Sequence, residues 1–258
     1  MWFKIKSFIL FLIKSTNQHG VHSPFVYNLV TKCFYKKSNA SKTNIINNIR
    51  QQLISNNDLI DIYDFGSGSK VFKTNKRKIS DISKIAGITK KKSTQLVNLL
   101  EYFKCSNILE IGTSVGLGTA SLSIARPQAN IISLEGCKNT AHIASNLFQT
   151  NNLKNIDLII GEFDKTLPEI IQKNSFDLVY FDGNHQKEPT LKYFEECLNS
   201  IDNNSIFIFD DINWSQEMQE AWLEIIEHPK VSVSINTYFW GLVFFRKEQE
   251  KEHFTIRI

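Results

Sequence analysis

From Asn107 onward, short apolar runs alternate with stretches of helical periodicity, and this alternation is the feature that most constrains the fold. Five runs have the length and composition of buried strands: Asn107–Ile111, Ile131–Leu134, Asp157–Ile160, Leu178–Phe181 and Ile206–Phe209. The helix candidates between them are Leu117–Ala125, Thr140–Gln149, Lys165–Gln172 and Pro189–Leu198. Such alternation predicts a parallel sheet with helices on both faces. We therefore predict an α/β fold with a doubly wound, Rossmann-like sheet.

The end of the chain departs from this alternation. After a helix candidate at Ser215–Glu227, the run Val231–Asn236 leads into Phe239–Arg246 through a short connection. Two strands joined so tightly form a hairpin. An antiparallel pair is therefore expected at one edge of the sheet.

The first sixty residues show helical patterns and no strand pattern. Pro24 can occupy the first turn of a helix that Ser23 caps, and apolar residues recur at helical spacing over Thr43–Ile54. Residues 61–80 look like a loop. We predict an N-terminal helical extension with a lid-like loop over 1–78, followed by the sheet-forming domain over 79–258.

The extreme N-terminus combines an apolar run, Phe8–Ile13, with three lysines, Lys4, Lys6 and Lys14. The run is too short to cross a bilayer, which takes roughly 20 apolar residues. We predict an amphipathic helix packed on the domain; contact with a membrane surface or with a second copy are the alternatives.

Composition sets broad limits on function. Hydrophobic residues make up 42% of the 258 residues, which is enough for a sizeable core, and the net charge of +4 is too small to indicate a nucleic-acid partner by itself. The four cysteines lack zinc-site or redox-motif spacing. We expect buried, reduced thiols and a cytoplasmic protein.

The segment Ile108–Leu122, ILEIGTSVGLGTASL, is the strongest motif. A strand carrying Glu110 ends in a glycine-rich turn, with Gly112, Gly116 and Gly118, and a helix follows. Glycines let the backbone approach a ligand closely. A dinucleotide site prefers the spacing G-x-G-x-x-G, whereas the spacing here is G-x-x-x-G-x-G after an acid. This pattern suits S-adenosylmethionine (SAM), which has a sulfonium and an amino-acid end instead of phosphates.

Acids follow the next two strands as well. Glu135 follows the second strand, 25 positions after Glu110. An acid at this place accepts hydrogen bonds from ribose hydroxyls in nucleotide-binding sheets. Glu162 and Phe163 follow the third strand and are candidates for the adenine side of the pocket. The predicted cofactor-binding set is Glu110, Gly112, Thr113, Ser114, Gly116, Gly118, Glu135, Gly136, Glu162, Phe163 and Asp182.

Carboxylates also end the fourth and fifth strands. Asp182 begins a loop that contains His185, and Asp210 and Asp211 end the run IFIFDD. Ligand sites in open α/β sheets lie beyond the carboxyl ends of the strands, so these acids are expected near one another. Converging carboxylates need a positive partner: the sulfonium, a basic side chain, or Mg²⁺ or another divalent cation, which prefers oxygen ligands.

The order EIGTSVGLG, then an acid, FDGNH and FDDINWS resembles the class I SAM-dependent O-methyltransferases, in particular a bacterial branch whose fourth-strand motif reads Asp-Gly-x-His. The resemblance covers Ile79 to Arg246. With GVHSPF (Gly20–Phe25) and FGSGS (Phe65–Ser69), the whole chain is similar to a group of methyltransferases from Bacteroidetes-type bacteria.

This resemblance implies a seven-stranded sheet with an antiparallel last strand, and contacts of Glu110, Gly112 and Glu135 with SAM. It also implies a metal site at Asp182, Asp210 and Asp211. The chain departs from the catechol-type pattern, which has Asp-Asn where Asp210-Asp211 stands and often a lysine after the strand-four acid.

These features predict methyl transfer to a hydroxyl of a small molecule, with Asp182 and His185 as catalytic residues. His185 can act as the general base, or Asp182 with a cation can lower the pKa of the hydroxyl. Related enzymes often dimerise, which makes a homodimer a candidate assembly, and no nucleic acid is expected. The alternatives are a non-catalytic SAM- or nucleotide-binding partner subunit, an NAD-dependent oxidoreductase and an RNA methyltransferase. The basic segment Phe65–Lys92 is either a solvated surface or a lid over an anionic acceptor.

Overall fold

The computed structural model describes residues 2–63 and 74–258. The motif Phe65–Ser69 and the basic residues Lys70 and Lys73 lie outside the described residues. The chain forms two compact units, one made of Met1–Tyr35 with Leu167–Ile258 and the other of Lys36–Thr166. The limits of these units differ from the expected boundary at residue 78. That boundary separates an N-terminal extension from a functional domain, and it stays a prediction.

The helices and strands follow one another along the chain as the alternation predicts. The helices are α1 (Trp2–Lys14), α2 (Pro24–Leu29), α3 (Ala40–Ser55), α4 (Ile79–Ile85), α5 (Lys90–Phe103), α6 (Leu117–Ala125), α7 (Lys138–Thr150), α8 (Phe163–Lys173), α9 (Lys187–Cys197) and α10 (Gln216–Glu227). The strands are β1 (Leu59–Asp61), β2 (Lys76–Lys78), β3 (Asn107–Ile111), β4 (Asn130–Glu135), β5 (Ile156–Ile160), β6 (Leu178–Phe181), β7 (Ile206–Asp210), β8 (Val233–Asn236), β9 (Trp240–Phe244) and β10 (Glu252–Thr255). A short 3₁₀ turn at Gln18–Gly20 and a π-helical turn at Val30–Phe34 complete the N-terminal part.

A mostly parallel sheet of eight strands, β3 to β10, confirms the predicted α/β fold. In the unit Lys36–Thr166, β3 pairs in parallel with β4, and β4 pairs in parallel with β5. Four of the five residues of β3 are buried, as expected for a parallel strand covered on both faces. This parallel arrangement brings the carboxyl ends of β3, β4 and β5, with their acids, to one edge.

In the other unit, β6 and β7 are parallel, and β9 is antiparallel to both β7 and β8. The hairpin expected over 231–246 is therefore confirmed. The seven-strand expectation is wrong by one strand, because β10 pairs in parallel with β8. Its sequence, Glu-His-Phe-Thr, is short and half-polar, and β10 is held by backbone pairing rather than by an apolar pattern.

The N-terminal predictions are confirmed in part. Ser23 caps α2, with its hydroxyl accepting from the Val26 N–H, and Pro24 lies in the first turn. The helical pattern over Thr43–Ile54 lies within α3. The loop expected over 61–80 is wrong at both ends, because β1 and β2 pair as an antiparallel ladder and α4 begins at Ile79.

Helix α1 packs on the C-terminal hairpin of its own unit. Phe11 and Ser7 are its buried residues. The rings of Phe8 and Phe11 lie 4.9 and 5.4 Å from the ring of Tyr238, whose hydroxyl donates to the Lys4 carbonyl. The predicted packing of this helix on the domain is thus confirmed.

The four cysteines are buried and form no disulfide among the described residues, in agreement with the thiols expected from their spacing. Among the described residues, no helix is both long enough and apolar enough to span a bilayer. Trp222 and Trp240 are core residues, exposed by only 4% and 1%.

Candidate functional site

The turn between β3 and α6 has an irregular backbone that a ligand can approach. Gly112 and Gly116 adopt positive φ angles of 110° and 88°, and Ser114 between them has φ 52°. Glycine takes up such conformations without strain, whereas a serine requires compensating contacts. A Cβ at Gly116 would lie 2.8 Å from Phe148 of α7. Gly116 is therefore required by packing as well as by conformation.

Glu135, the last residue of β4, is held by the backbone of this turn. The Ser114 N–H donates to Glu135 Oε2 at 2.6 Å, and the Cys137 N–H donates to Oε1 at 2.9 Å. The carboxylate is only partly buried. Two backbone donors fix its orientation, and each carboxylate oxygen can accept more than one hydrogen bond. The structure thus brings together Ser114 and Glu135, two residues of the predicted cofactor-binding set.

Glu110 lies inside the protein rather than at its surface. It is completely buried, and its Oε2 accepts hydrogen bonds from Ser133 Oγ at 2.6 Å and from Thr119 Oγ1. Its other oxygen, Oε1, has no hydrogen-bond partner within the described parts of the chain. The pKa of Glu110 is raised to about 7, chiefly by burial and to a smaller extent by the charge of Glu135, while the two hydroxyl donors act in the opposite direction.

The hydroxyls that support Glu110 are residues that the sequence interpretation missed. Ser133 lies in β4, and its hydroxyl is 2.5 Å from Thr113 Oγ1, which also bonds the Leu134 carbonyl. Thr119, in α6, is fully buried. The strand register pairs Glu110 with Ser133, so the alignment of these two strands was the signal that could have identified the contact.

The residues after β5 are placed at its carboxyl end. Glu162 is exposed and pairs with Lys165 at 2.9 Å, and half-buried Phe163 begins α8. The Gly161 N–H donates to the Glu135 carbonyl. This bond ties the end of β5 to the end of β4, next to the Glu135 carboxylate.

The strand β1 ends close to the same region. Asn139 Nδ2 donates to the Asp61 carbonyl at 2.6 Å, and the Tyr63 N–H approaches Cys137 Sγ at 3.5 Å. Asp61 and Tyr63 therefore lie beside the beginning of α7, and this helix starts three residues after Glu135. No sequence signal indicated this contact, because it depends on tertiary packing.

In the other unit, Asp182 and His185 follow β6. His185 Nε2 lies 3.8 Å from Asp182 Oδ1, and the two side chains are largely buried, with exposures of 26% and 17%. Between them Asn184 takes a left-handed φ of 49°, which reverses the chain and brings the two side chains together.

The acids after β7 have different environments. Asp210 is 6% exposed and pairs with Trp240 in the strand register, whereas Asp211 is less buried and has φ 51°. The chain then turns through a bond from the Trp214 N–H to the Asp211 carbonyl. Asn213, which the sequence interpretation did not select, donates to the Tyr238 carbonyl and fixes this turn.

The predicted metal ligands do not form a binding group. Across residues 2–63 and 74–258, no cluster of three or more His, Cys, Asp or Glu side chains is arranged to hold a metal ion. Asp182, Asp210 and Asp211 therefore do not fit the divalent cation that the catechol-type resemblance implies.

Comparison with known proteins gives a consistent result. Residues 109–212 match the family model of a methyltransferase domain, and no curated protein matches the chain. SAH-bound methyltransferase PaMTH1 from Podospora anserina superposes with a TM-score of 0.61 at 14% identity, over 88% of this chain and 97% of that one.

Two O-methyltransferases share the fold as well. The enzyme from Bacillus cereus, in complex with SAH, has a TM-score of 0.54 at 18% identity and covers 85% of this chain and 96% of its own. TomG from Streptomyces achromogenes, in complex with SAM, has a TM-score of 0.54 at 17% identity, over 62% of this chain and 82% of its own. The matched segment 109–212 contains the glycine-rich turn, Glu135 and Asp182, and the chain shares the fold of these SAM-dependent methyltransferases.

Proposed function

We propose that this chain transfers the methyl group of SAM to a hydroxyl of a small-molecule acceptor. The observation that carries the proposal is Glu135, whose carboxylate two backbone N–H groups orient at the end of β4. A carboxylate with a fixed orientation at this position can accept hydrogen bonds from the two hydroxyls of a ribose. The structural similarity to O-methyltransferases supports a hydroxyl as the group that receives the methyl.

The residues around Glu135 fit the other parts of SAM. The turn Gly112–Gly116, with Thr113 and Ser114, lets the backbone approach the amino-acid end, and Gly118 and Gly136 leave space beside it. Buried Glu110 adds negative potential for a cationic ligand. Glu162 and Phe163 serve the adenine end, and Asp182 serves the cofactor from the strand that follows. SAM supplies an activated methyl group when it is bound.

We propose His185 as the general base that removes the acceptor proton. Asp182 Oδ1, 3.8 Å from His185 Nε2, would stabilise the imidazolium that forms. The chain otherwise positions the acceptor and excludes water, since methyl transfer is an in-line displacement that needs little further assistance. No step is assigned to a metal, because the three aspartates do not form a ligand group in the described chain.

We assign the transfer chemistry to 79–258 and regard 1–78 as an extension. The four cysteines, which are buried thiols outside any disulfide of the described chain, support a cytoplasmic setting. The acceptor is proposed to be a small molecule rather than a nucleic acid.

Cofactor binding tests the first step. Glu135→Ala should weaken SAM binding about 10- to 100-fold, because each hydrogen bond to a charged group contributes about 1.5–3 kcal/mol. Titration calorimetry with SAM, SAH and NAD measures the change, and Glu169→Ala, at an exposed position of α8, is the matched control. Binding of NAD in place of SAM, or equal SAM affinity in the Glu135 and Glu169 variants, would contradict the assignment.

Catalysis tests the second step. His185→Ala should lower kcat about 10²- to 10⁴-fold, with SAM affinity unchanged, since a positioned base contributes that much. SAH release with a panel of hydroxylated small molecules is the readout, and His142→Ala on the exposed side of α7 is the control. SAM binding without turnover on any acceptor would favour the partner-subunit alternative, and RNA binding that falls steeply with salt would favour an RNA methyltransferase.

A further inference from the structure

Helix α1 exposes an apolar face on the side opposite its contact with the protein. Of the large apolar side chains that are exposed in the described chain, seven lie on this helix of 13 residues. Trp2, Ile9 and Ile13 are exposed by 80%, 51% and 75%. A helix that is apolar on all sides is normally buried on all sides, so this face indicates a partner.

The geometry of the helix separates the two faces. At about 100° per residue, buried Ser7 and Phe11 lie on one side, and Trp2, Ile9 and Ile13 cluster on the opposite side. The buried side is anchored by Tyr238, as described above. The neighbouring Phe239, which is half exposed and contacts the Tyr238 ring, extends the apolar surface beyond the helix.

The charges on α1 distinguish between a second copy of the chain and an anionic surface as the partner of this face. Helix α1 contains lysines but no acidic residue. Lys4 Nζ lies over the Trp214 ring at 3.1 Å. Lys6 and Lys14 are exposed; on the same helical projection Lys6 lies beside Ile13 and Lys14 lies beyond Leu10, at the border with the buried side. A two-fold contact between copies would place the same patch against itself, which offers these lysines no carboxylate on the partner helix. An anionic surface with an apolar layer beneath it satisfies both features.

We propose that α1 docks this protein on the surface of a bilayer that contains anionic lipids. The helix would lie in the plane of the interface, with Ile9 and Ile13 among the acyl chains, Trp2 at the headgroup level, and Lys6 and Lys14 on the lipid phosphates. The docking does not depend on the proposed methyl transfer. It would bring the protein to acceptors that partition into membranes.

Vesicle co-sedimentation of the full chain tests this proposal, with vesicles of phosphatidylcholine alone or with phosphatidylglycerol. We expect binding to the anionic vesicles that weakens with added salt. Ile9→Glu with Ile13→Glu should reduce the partition coefficient about 100-fold, at about tenfold for each side chain. Leu223→Glu, at an exposed leucine of α10, should leave binding unchanged.

A second pair of variants tests the charges. Lys6→Glu with Lys14→Glu should abolish the preference for anionic vesicles, whereas Lys173→Glu, at the exposed end of α8, should retain it. Failure of the wild-type chain to bind anionic vesicles would overturn the proposal, as would unchanged binding in the isoleucine variant. Conversion of a dimer to a monomer by that variant, without vesicle binding by the wild type, would overturn it in favour of a contact between copies.

Discussion

Replacement of Glu110 by glutamine should remove a large pH dependence of stability. In the folded protein the pKa of Glu110 is raised from 4.5 to about 7, chiefly by complete burial. In the unfolded chain the carboxyl ionises near its ordinary value, so between these values the folded state binds more protons than the unfolded state. The free energy of unfolding therefore falls as the pH rises through this window and levels off above it.

The magnitude follows from the shift. At about 1.36 kcal/mol per pKa unit, the shift corresponds to about 3 kcal/mol in total, most of which is lost between about pH 5 and pH 8. Glutamine has nearly the same shape and does not titrate, and its carbonyl can still accept from Ser133 and Thr119. The difference in free energy of unfolding between wild type and Glu110→Gln should therefore change by about 2–3 kcal/mol across this pH range.

Urea unfolding, followed by tryptophan fluorescence at a series of pH values across this window, measures this difference. Glu169→Gln on the surface of α8 is the control, and its difference from wild type should stay constant. A difference between wild type and Glu110→Gln that does not vary with pH would refute the reasoning, because it would mean that the buried carboxyl ionises as easily as an exposed one.

Two glycines give further predictions. Gly241 lies in a strand that is paired on both sides, and Gly241→Ala places a Cβ well inside van der Waals contact with the Trp222 ring. The substitution should destabilise the fold by about 1–3 kcal/mol. A melting temperature equal to that of wild type would contradict this. Gly116→Ala combines a positive φ with a clash against Phe148. It should lower both the melting temperature and SAM affinity, whereas lower stability at unchanged affinity would separate this glycine from the cofactor site.

The strands and helices of the sheet could be predicted because their patterns are local. The strands β3 and β6 were predicted to the residue, since each is an apolar run bounded by polar residues. The strands β1, β2 and β10 were missed for a common reason. They are short and largely exposed, and β2 and β10 are rich in charged or polar residues. Their pairing therefore depends on backbone that is distant in the sequence.

The candidate site was predictable only in part. Strand-end acids could be located because parallel strands bring their carboxyl ends to one edge, and the register then brought Glu135 close to the glycine-rich turn. Whether several acids converge depends on side-chain direction and loop geometry. The residues after β7 illustrate this: Asp210 continues the strand and is buried, whereas Asp211 enters a left-handed conformation. The metal site predicted from these acidic residues is therefore not formed within the described chain.

Glu110 and Glu135 look equivalent in the sequence, since each lies near the end of a strand of the same sheet, but their environments give them different properties. Glu110 is completely buried, and burial raises its pKa to about 7 although two side-chain hydroxyls donate to its Oε2. Glu135 is held by two backbone N–H groups, and it remains partly exposed. Glu135 is therefore the carboxylate that a ligand can reach, whereas Glu110 lies buried behind it. A cationic ligand near both would favour ionisation of Glu110, so the buried acid would contribute most of its negative charge when the cofactor is bound.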